Sequence, residues 1–261
     1  MEILNQNKED IVLKSVNHFR LQNERDILRR FQSKTNHLDD EILHASDVKR
    51  LTYQEVKYVA RKVLEALSVL HEEGFVHTDI KPSNVLVNYG KKDGNCFAEV
   101  QLADFGSTVH KDSSHTRDGG PIGTPIFRSP EAYLSISRVT TTDIWSLGAM
   151  VISLLYGGGF HIFKINVPID HEGYEIKILL KHYQCFGPLP KSYVEIADHT
   201  RLQAIMWVMD NCPPDTLKPF HLTTARKICQ EDKEFVLKMM KLDSRGQLPR
   251  NFIKYSRVEL S

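Results

Sequence analysis

The 261-residue chain lacks a charge excess of either sign: 34 Lys+Arg stand against 33 Asp+Glu, a net +1. A nucleic-acid or membrane-surface protein carries a basic surplus on at least one segment. None is present, so neither partner is expected. Long apolar runs are also missing. The longest, Ile144 to Tyr156, is broken by Ser146, Gly148 and Ser153 and falls far short of the roughly 20 residues that cross a bilayer, so it reads as a buried core helix. The opening MEILNQNKED places acids and amides where a secretory signal has basic and then apolar residues. An intracellular protein, cytoplasmic or nuclear, is expected. Cys96, Cys185, Cys212 and Cys229 stand far apart with no C-x-x-C pair, which fits neither a zinc ribbon nor a disulfide framework and leaves free thiols. With 14 Gly, 11 Pro and no biased tract, collagen-like and low-complexity chains are excluded. What remains is an ordinary globular composition, long enough for one large or two small domains.

Periodicity orders the chain. A strand-like run from Ile11 to Val16 precedes a helical pattern from Phe19 to Phe31, with Leu21, Leu28 and Phe31 on one stripe. A polar loop, SKTNHLDDE, follows. The clearest helix runs from Tyr53 to Glu72 on Val56, Val59, Ala60, Val63, Leu64, Leu67 and Leu70, closed by Gly74. Two β-prone runs, Asn84 to Val87 and Ala98 to Leu102, flank a turn-rich NYGKKDGN and suggest a hairpin. Residues 104–131 read as a long functional loop. Helices are expected at about 140–156, 172–183, 200–210 and 231–241.

Four segments carry chemistry: His77-Thr78-Asp79-Ile80-Lys81-Pro82-Ser83-Asn84; Asp104-Phe105-Gly106; Gly123-Thr124-Pro125-Ile126-Phe127-Arg128-Ser129-Pro130-Glu131; and Asp143-Ile144-Trp145-Ser146-Leu147-Gly148. Phosphoryl transfer asks a protein mainly to position the nucleophile, hold the phosphates through a metal and neutralise spreading charge. An acid beside a lysine on a tight loop, Asp79 with Lys81, suits the first and last tasks. Asn84 and Asp104 offer the oxygen ligands that Mg²⁺ prefers. Taken singly, Asp-x-Lys is usually a solvated ion pair and Asp-Phe-Gly a turn. Their joint order removes the bland reading. His71-Glu72-Glu73 begins like a zinc-protease helix, but Phe75 stands where the second histidine belongs.

In this order the segments resemble the catalytic loop, metal-binding turn, activation-segment end and central helix of protein kinases. The resemblance implies an α+β, protein-kinase-like bilobal fold with a reduced N-terminal β lobe and a mostly helical C-terminal lobe. It implies ATP and Mg²⁺ as cofactors and a protein substrate with a Ser/Thr acceptor. Asp79 becomes the base, with Lys81 and Thr124 beside it, and Asn84 and Asp104 become metal ligands. Ile11-Val12-Leu13-Lys14 resembles the strand whose lysine pairs with the nucleotide phosphates, and Glu24 is its expected partner. Arg128 before Ser129-Pro130-Glu131, with Phe186-Gly187-Pro188-Leu189-Pro190, resembles the CMGC branch and, within it, fungal SR-protein-kinase-like proteins.

Departures from the pattern matter as much. Thr78 stands where many kinases have an arginine that receives an activation-loop phosphate, so activity is expected not to depend strongly on phosphorylation of Thr108, Ser113, Ser114 or Thr116. Met240-Lys241-Leu242-Asp243 resembles the last kinase motif, but Gln247 falls where the arginine partner of Glu131 is expected. Arg245 or Arg250 is the substitute. No G-x-G-x-x-G precedes Lys14. A complete small lobe needs roughly 70 residues, whereas residues 1–51 offer one strand and one helix ahead of a large lobe at 52–261. The alternatives are therefore a catalytically impaired kinase-fold scaffold and an incomplete form of a longer kinase.

Overall fold

A computed structural model describes residues 2–4, 10–12, 18–31, 40–41, 51–92, 95–113, 122–134, 140–195, 197–224 and 228–242. Strands β1 (Glu2–Leu4) and β2 (Asp10–Val12) pair antiparallel, Glu2 opposite Val12. The front thus carries a two-stranded ribbon where the sequence suggested one strand, because three-residue strands show no readable period. Helix α1 (His18–Phe31) follows, then β3 (Asp40–Glu41). The buried stripe of α1 runs through Ile27, 4% exposed, whereas Leu21 of the expected stripe is 36% exposed.

Helix α2 (Tyr53–Glu72) starts where expected and for a visible reason. Thr52 caps it, accepting the Glu55 N–H at 3.3 Å while Glu55 Oε2 accepts the Thr52 N–H at 2.6 Å, a reciprocal box that satisfies two orphan donors. Its apolar stripe, Val56 through Leu70, enters the core. The chain then runs through β4 (Phe75–Val76), a 3-10 turn at Pro82–Asn84, and the antiparallel hairpin β5 (Val85–Lys92) and β6 (Asn95–Leu102), with β3 on the outer side of β5. A second 3-10 turn, Phe105–Ser107, leads to β7 (Val109–His110), which pairs back onto β4. This pairing was illegible in the sequence: two-residue strands carry no alternation.

Helices fill the rest: α3 (Pro130–Tyr133), α4 (Thr141–Tyr156), α5 (Tyr174–Phe186), α6 (His199–Asp210) and α7 (Gln230–Met239). α4 is buried from Thr142 to Leu155, as a helix apolar on every side must be. It is the pillar on which α2 and α7 pack. Among the described residues no helix is long and apolar enough to cross a membrane, and all four cysteines are free.

Two pairings position the chemistry. The β5–β6 hairpin sets Val85 opposite Leu102, so Asn84 and Asp104 emerge at the same end. The Ala103 N–H donates to the Asn84 carbonyl at 2.8 Å and fixes that juxtaposition. The β4–β7 pair lays the loop from His77 to Asn84 beside the segment that follows Asp104.

Candidate active site

The loop from His77 to Asn84 is hung from α4. Asp143, fully buried, accepts the His77 N–H on Oδ2 and the Thr78 N–H on Oδ1, both at 2.8 Å, and His71 Nε2 approaches Oδ2 at 2.9 Å. These bonds hold Thr78 at a φ of 73°, a genuine outlier for a β-branched residue. His77 is sealed beneath the loop, its ring edge-on to Phe105 at 5.1 Å with Nε2 3.1 Å from the Ala103 carbonyl. Burial pushes its pKa down, against the opposing pull of Asp143, and keeps the ring neutral.

Asp79 lies at the centre. Its Oδ1 accepts both the Thr124 N–H at 2.9 Å and the Thr124 hydroxyl at 2.8 Å. Its Oδ2 meets Lys81 Nζ at 2.9 Å and Asn84 Nδ2 at 3.2 Å. Lys81 Nζ also donates to Thr124 Oγ1 at 3.0 Å, closing a triangle of acid, base and hydroxyl. Burial alone would raise the Asp79 pKa, but Lys81 and the two Thr124 bonds outweigh it and hold the carboxyl below its ordinary range. The Asn84 amide also donates to the Asp79 carbonyl at 2.8 Å, so Oδ1 is the end of that side chain not engaged in these bonds.

Thr124 reaches Asp79 through an equally constrained segment. Gly123 sits at a φ of +67°, and a Cβ placed there would lie 2.3 Å from the Thr78 carbonyl oxygen. Arg128, 6% exposed, pins the strand of chain behind it, with Nε donating to the Ile122 carbonyl at 2.7 Å and an Nη to the Gly123 carbonyl at 3.2 Å. The other Nη pairs with Glu175 at 2.8 Å, and the guanidinium lies over the Tyr133 ring at 4.7 Å.

A family model described as "Protein kinase domain" matches residues 1–245. The chain belongs to the protein kinase family. It is similar to the "Dual specificity protein kinase YAK1 homolog" of Arabidopsis thaliana, 29% identical over 154 residues that make up 59% of this chain and 14% of that protein. It is also similar to "Serine/threonine-protein kinase PAK 4" of Homo sapiens, 36% identical over 108 residues, 41% of this chain and 17% of that protein. The chain thus spans less than a fifth of the length of either relative. A solved kinase-domain crystal structure aligns over 93% of this chain and 83% of that one with a TM-score of 0.66 at 18% identity, a likeness of fold.

Within this kinase domain, Asp79, Lys81, Asn84 and Thr124 are brought together as the sequence suggested, and Asp104 emerges beside Asn84 with a φ of 60°. Glu24 is half-buried on α1, and Lys14, its expected partner, lies outside the described residues. So do Asp243, Arg245, Gln247 and Arg250. Glu131 is buried, and desolvation pushes its pKa up to about 7 against the bonds from Ser129 and Tyr193. The Tyr193 hydroxyl lies 3.4 Å from Glu131 Oε2 and 2.6 Å from the Leu242 carbonyl.

Sequence reasoning missed two residues. Asn23 reaches from α1 to the carbonyls of Phe105, Gly106 and Thr108. Its signal was its spacing four before Ile27 and eight before Phe31, a polar residue on the stripe that packs. The other is Thr78, read only as a missing arginine, whose hydroxyl donates to the Ser107 carbonyl at 2.8 Å.

Proposed function

We propose that this domain is a serine/threonine protein kinase of the CMGC, SR-protein-kinase-like type, transferring the γ-phosphate of Mg·ATP to a protein hydroxyl. The observation that carries the reading is the closed network of Asp79, Lys81 and Thr124 with Asn84 alongside. The donor set also suits the metal. Mg²⁺ is commonly held by one or two carboxylates together with substrate phosphates; Asp104 would supply one carboxylate, and Asn84 Oδ1 a neutral amide oxygen beside it. Among the described residues no cluster of three His, Cys, Asp or Glu competes as a cage. When bound, the metal neutralises charge developing on the phosphates.

The chain's own residues supply position and charge. Asp79 is ionised at neutral pH because Lys81 and Thr124 stabilise its charged form. A carboxylate so stabilised is a weak base toward a resting alcohol, so its first task is to accept the hydroxyl's hydrogen bond and aim the oxygen. It takes the proton as the new O–P bond makes that hydroxyl acidic, while the bond from the γ-phosphorus to the bridging oxygen breaks and ADP leaves. Four donors already engage its two oxygens. Lys81 is the one that yields, since its flexible stem carries three donors that can turn to a phosphate. Thr124, fixed through Gly123 and Arg128, keeps Oδ1 in place meanwhile. The restriction to Ser/Thr acceptors is supported by Thr124 and Lys81-Pro82. The CMGC assignment is supported by Arg128, whose fork holds the Ile122 and Gly123 carbonyls on the path to the substrate.

The decisive experiment incubates the purified chain with γ-labelled ATP, Mg²⁺ and a basic, serine-rich protein substrate, with Asp79→Asn as control. Label on serine or threonine at a rate at least about 10²-fold above the control is expected. No transfer above the control would overturn catalysis, and label on tyrosine alone would overturn the specificity.

A further inference from the structure

The turn after Asp104 presents four successive carbonyls, those of Phe105, Gly106, Ser107 and Thr108. Asn23 Nδ2 on α1 lies 3.3 Å, 3.1 Å and 2.7 Å from the first, second and fourth. The third accepts the Thr78 hydroxyl at 2.8 Å from the catalytic loop. Two neutral side chains that approach from different elements thus reach all four acceptors, the Phe105 carbonyl also taking the turn's own Thr108 N–H at 3.0 Å. Only the nitrogen end of Asn23 can serve three carbonyls, which fixes its amide orientation. With two hydrogens for three oxygens, the short bond to Thr108 holds one and the other is shared between Phe105 and Gly106.

Thr78 meets this turn from an outlying backbone conformation, its N–H committed to Asp143 and its carbonyl against Gly123. Thr78 is 3% exposed, and its hydroxyl is committed to a single backbone oxygen. α1 is seated on the same body. Ile27 is buried, and the Phe31 ring stands edge-on to Phe75 of β4 at 5.7 Å. The two donors consequently tie helix, catalytic loop and Asp104 turn into one unit.

We propose that Asn23 and Thr78 are positioning residues that clamp the Asp104 turn, so that Asp104 is set for its ligand by neutral hydrogen bonds and without a phosphorylated residue. This rests on the kinase reading above. Neither side chain titrates, so the clamp keeps its strength across pH and is little affected by salt, unlike one built on an ion pair. It also makes α1 and the metal-binding turn move together: displacing the helix withdraws three carbonyl partners at once.

The test uses the full chain and four single variants. Asn23→Leu keeps the number of side-chain heavy atoms and the branch at Cγ and removes the donors. Asn23→Asp keeps the shape and faces the carbonyls with oxygens. Thr78→Val keeps the branched shape and its backbone penalty without the hydroxyl, and Thr78→Ser restores the donor. Backbone hydrogen exchange of residues 103–110 is read on the protein without nucleotide. The Mg²⁺ concentration for half-maximal transfer and the KM for protein substrate are read separately. One lost hydrogen bond corresponds to about a fivefold change. Exchange in the turn is expected to rise by at least that factor in Asn23→Leu, Asn23→Asp and Thr78→Val, and the half-saturating Mg²⁺ to rise with it. The KM for protein stays within about twofold, and Thr78→Ser behaves as wild type. Unchanged exchange in Asn23→Leu and Thr78→Val would overturn the clamp. So would Thr78→Ser failing like Thr78→Val, or all constants falling together through loss of folded protein. Because exchange is measured without catalysis, a wild-type chain that transfers no phosphate refutes the kinase reading while the clamp stands or falls on its own data.

Discussion

Two glycines allow the contact between the activation segment and the catalytic loop to be weighed in isolation. Gly123 and Gly158 share a left-handed backbone, φ +67° and +58°, but a Cβ on Gly123 would lie 2.3 Å from the Thr78 oxygen while one on Gly158 meets nothing within 4 Å. Alanine at either position incurs the same left-handed penalty of about 1–2 kcal/mol. Gly123→Ala must in addition separate two pieces of backbone by about 1 Å, an overpacking cost of about 1–3 kcal/mol. For a chain of this size that excess lowers Tm by about 2–12 °C beyond the Gly158→Ala value. The displaced backbone lies between Thr78 and Asp79 on one side and leads directly into Thr124 on the other, so both bonds on Asp79 Oδ1 shift. A misplacement of about 1 Å costs about 10²-fold in turnover. Differential scanning fluorimetry and steady-state phosphoryl transfer on the two variants read both quantities. Equal melting temperatures, with Gly123→Ala turnover within about threefold of wild type, would refute the reasoning that this contact sets Asp79.

Arg128→Lys loses the fork that spans the Ile122 and Gly123 carbonyls, worth about 1–3 kcal/mol. It is expected to raise the KM for protein substrate about tenfold while Mg·ATP affinity stays within about twofold in a titration. His182 is fully buried among Trp145, Phe163 and Tyr133, has no partner on either ring nitrogen among the described residues, and is driven down to a pKa of about 3 by burial. Its folded pKa lies below its unfolded one, so its neutral form favours folding above pH 6.5 and that contribution is lost as pH falls toward 3. Urea denaturation should show wild type losing about 2 kcal/mol more than His182→Leu between pH 7 and pH 5; parallel profiles would count against it. Ser113→Ala, Ser114→Ala and Thr116→Ala are each expected to leave phosphoryl transfer within about twofold of wild type, because Thr78 offers no cation to a phosphate there. A large loss in an initial-rate assay of any of them would contradict this.

How far the site could be read beforehand depended on how locally each constraint is written. α2 was legible because its apolar stripe repeats for five turns and Gly74 closes it. Asn84 and Asp104 were legible as neighbours because the hairpin between them folds the chain back within twenty residues. Asp143 was quoted only as the head of a buried helix, since its two backbone bonds span 65 and 66 residues and leave no local trace. Hydrophobic spacing alone puts the apolar stripe of α1 through Leu21, Leu28 and Phe31. The helix instead turns Asn23, Ile27 and Phe31 inward, where Asn23 meets carbonyls that no window of the sequence contains. The strands β1, β4 and β7 are too short for any period to register.

The balance of forces on α1 follows from the same geometry. The ion pair of Arg30 with Glu73 has both side chains about half exposed, 53% and 50%, and exposed pairs contribute at most about 1 kcal/mol. Ile27 is 4% exposed, and truncating such a side chain to alanine typically costs about 2–5 kcal/mol. The edge-on contact of Phe31 with Phe75 adds about 0.5–1.5 kcal/mol. Asn23 adds donors to the Gly106 and Thr108 carbonyls and a second one to Phe105 in a half-buried turn, where each bond contributes about 0.5–1.5 kcal/mol. Burial and carbonyl contacts therefore outweigh this ion pair, and both point at Phe75 on β4 and the turn at Phe105 to Thr108. A helix held in this way keeps its seat by contacts from the segments on either side of the loop at His77 to Asn84, so the turn after Asp104 and α1 respond to a perturbation together.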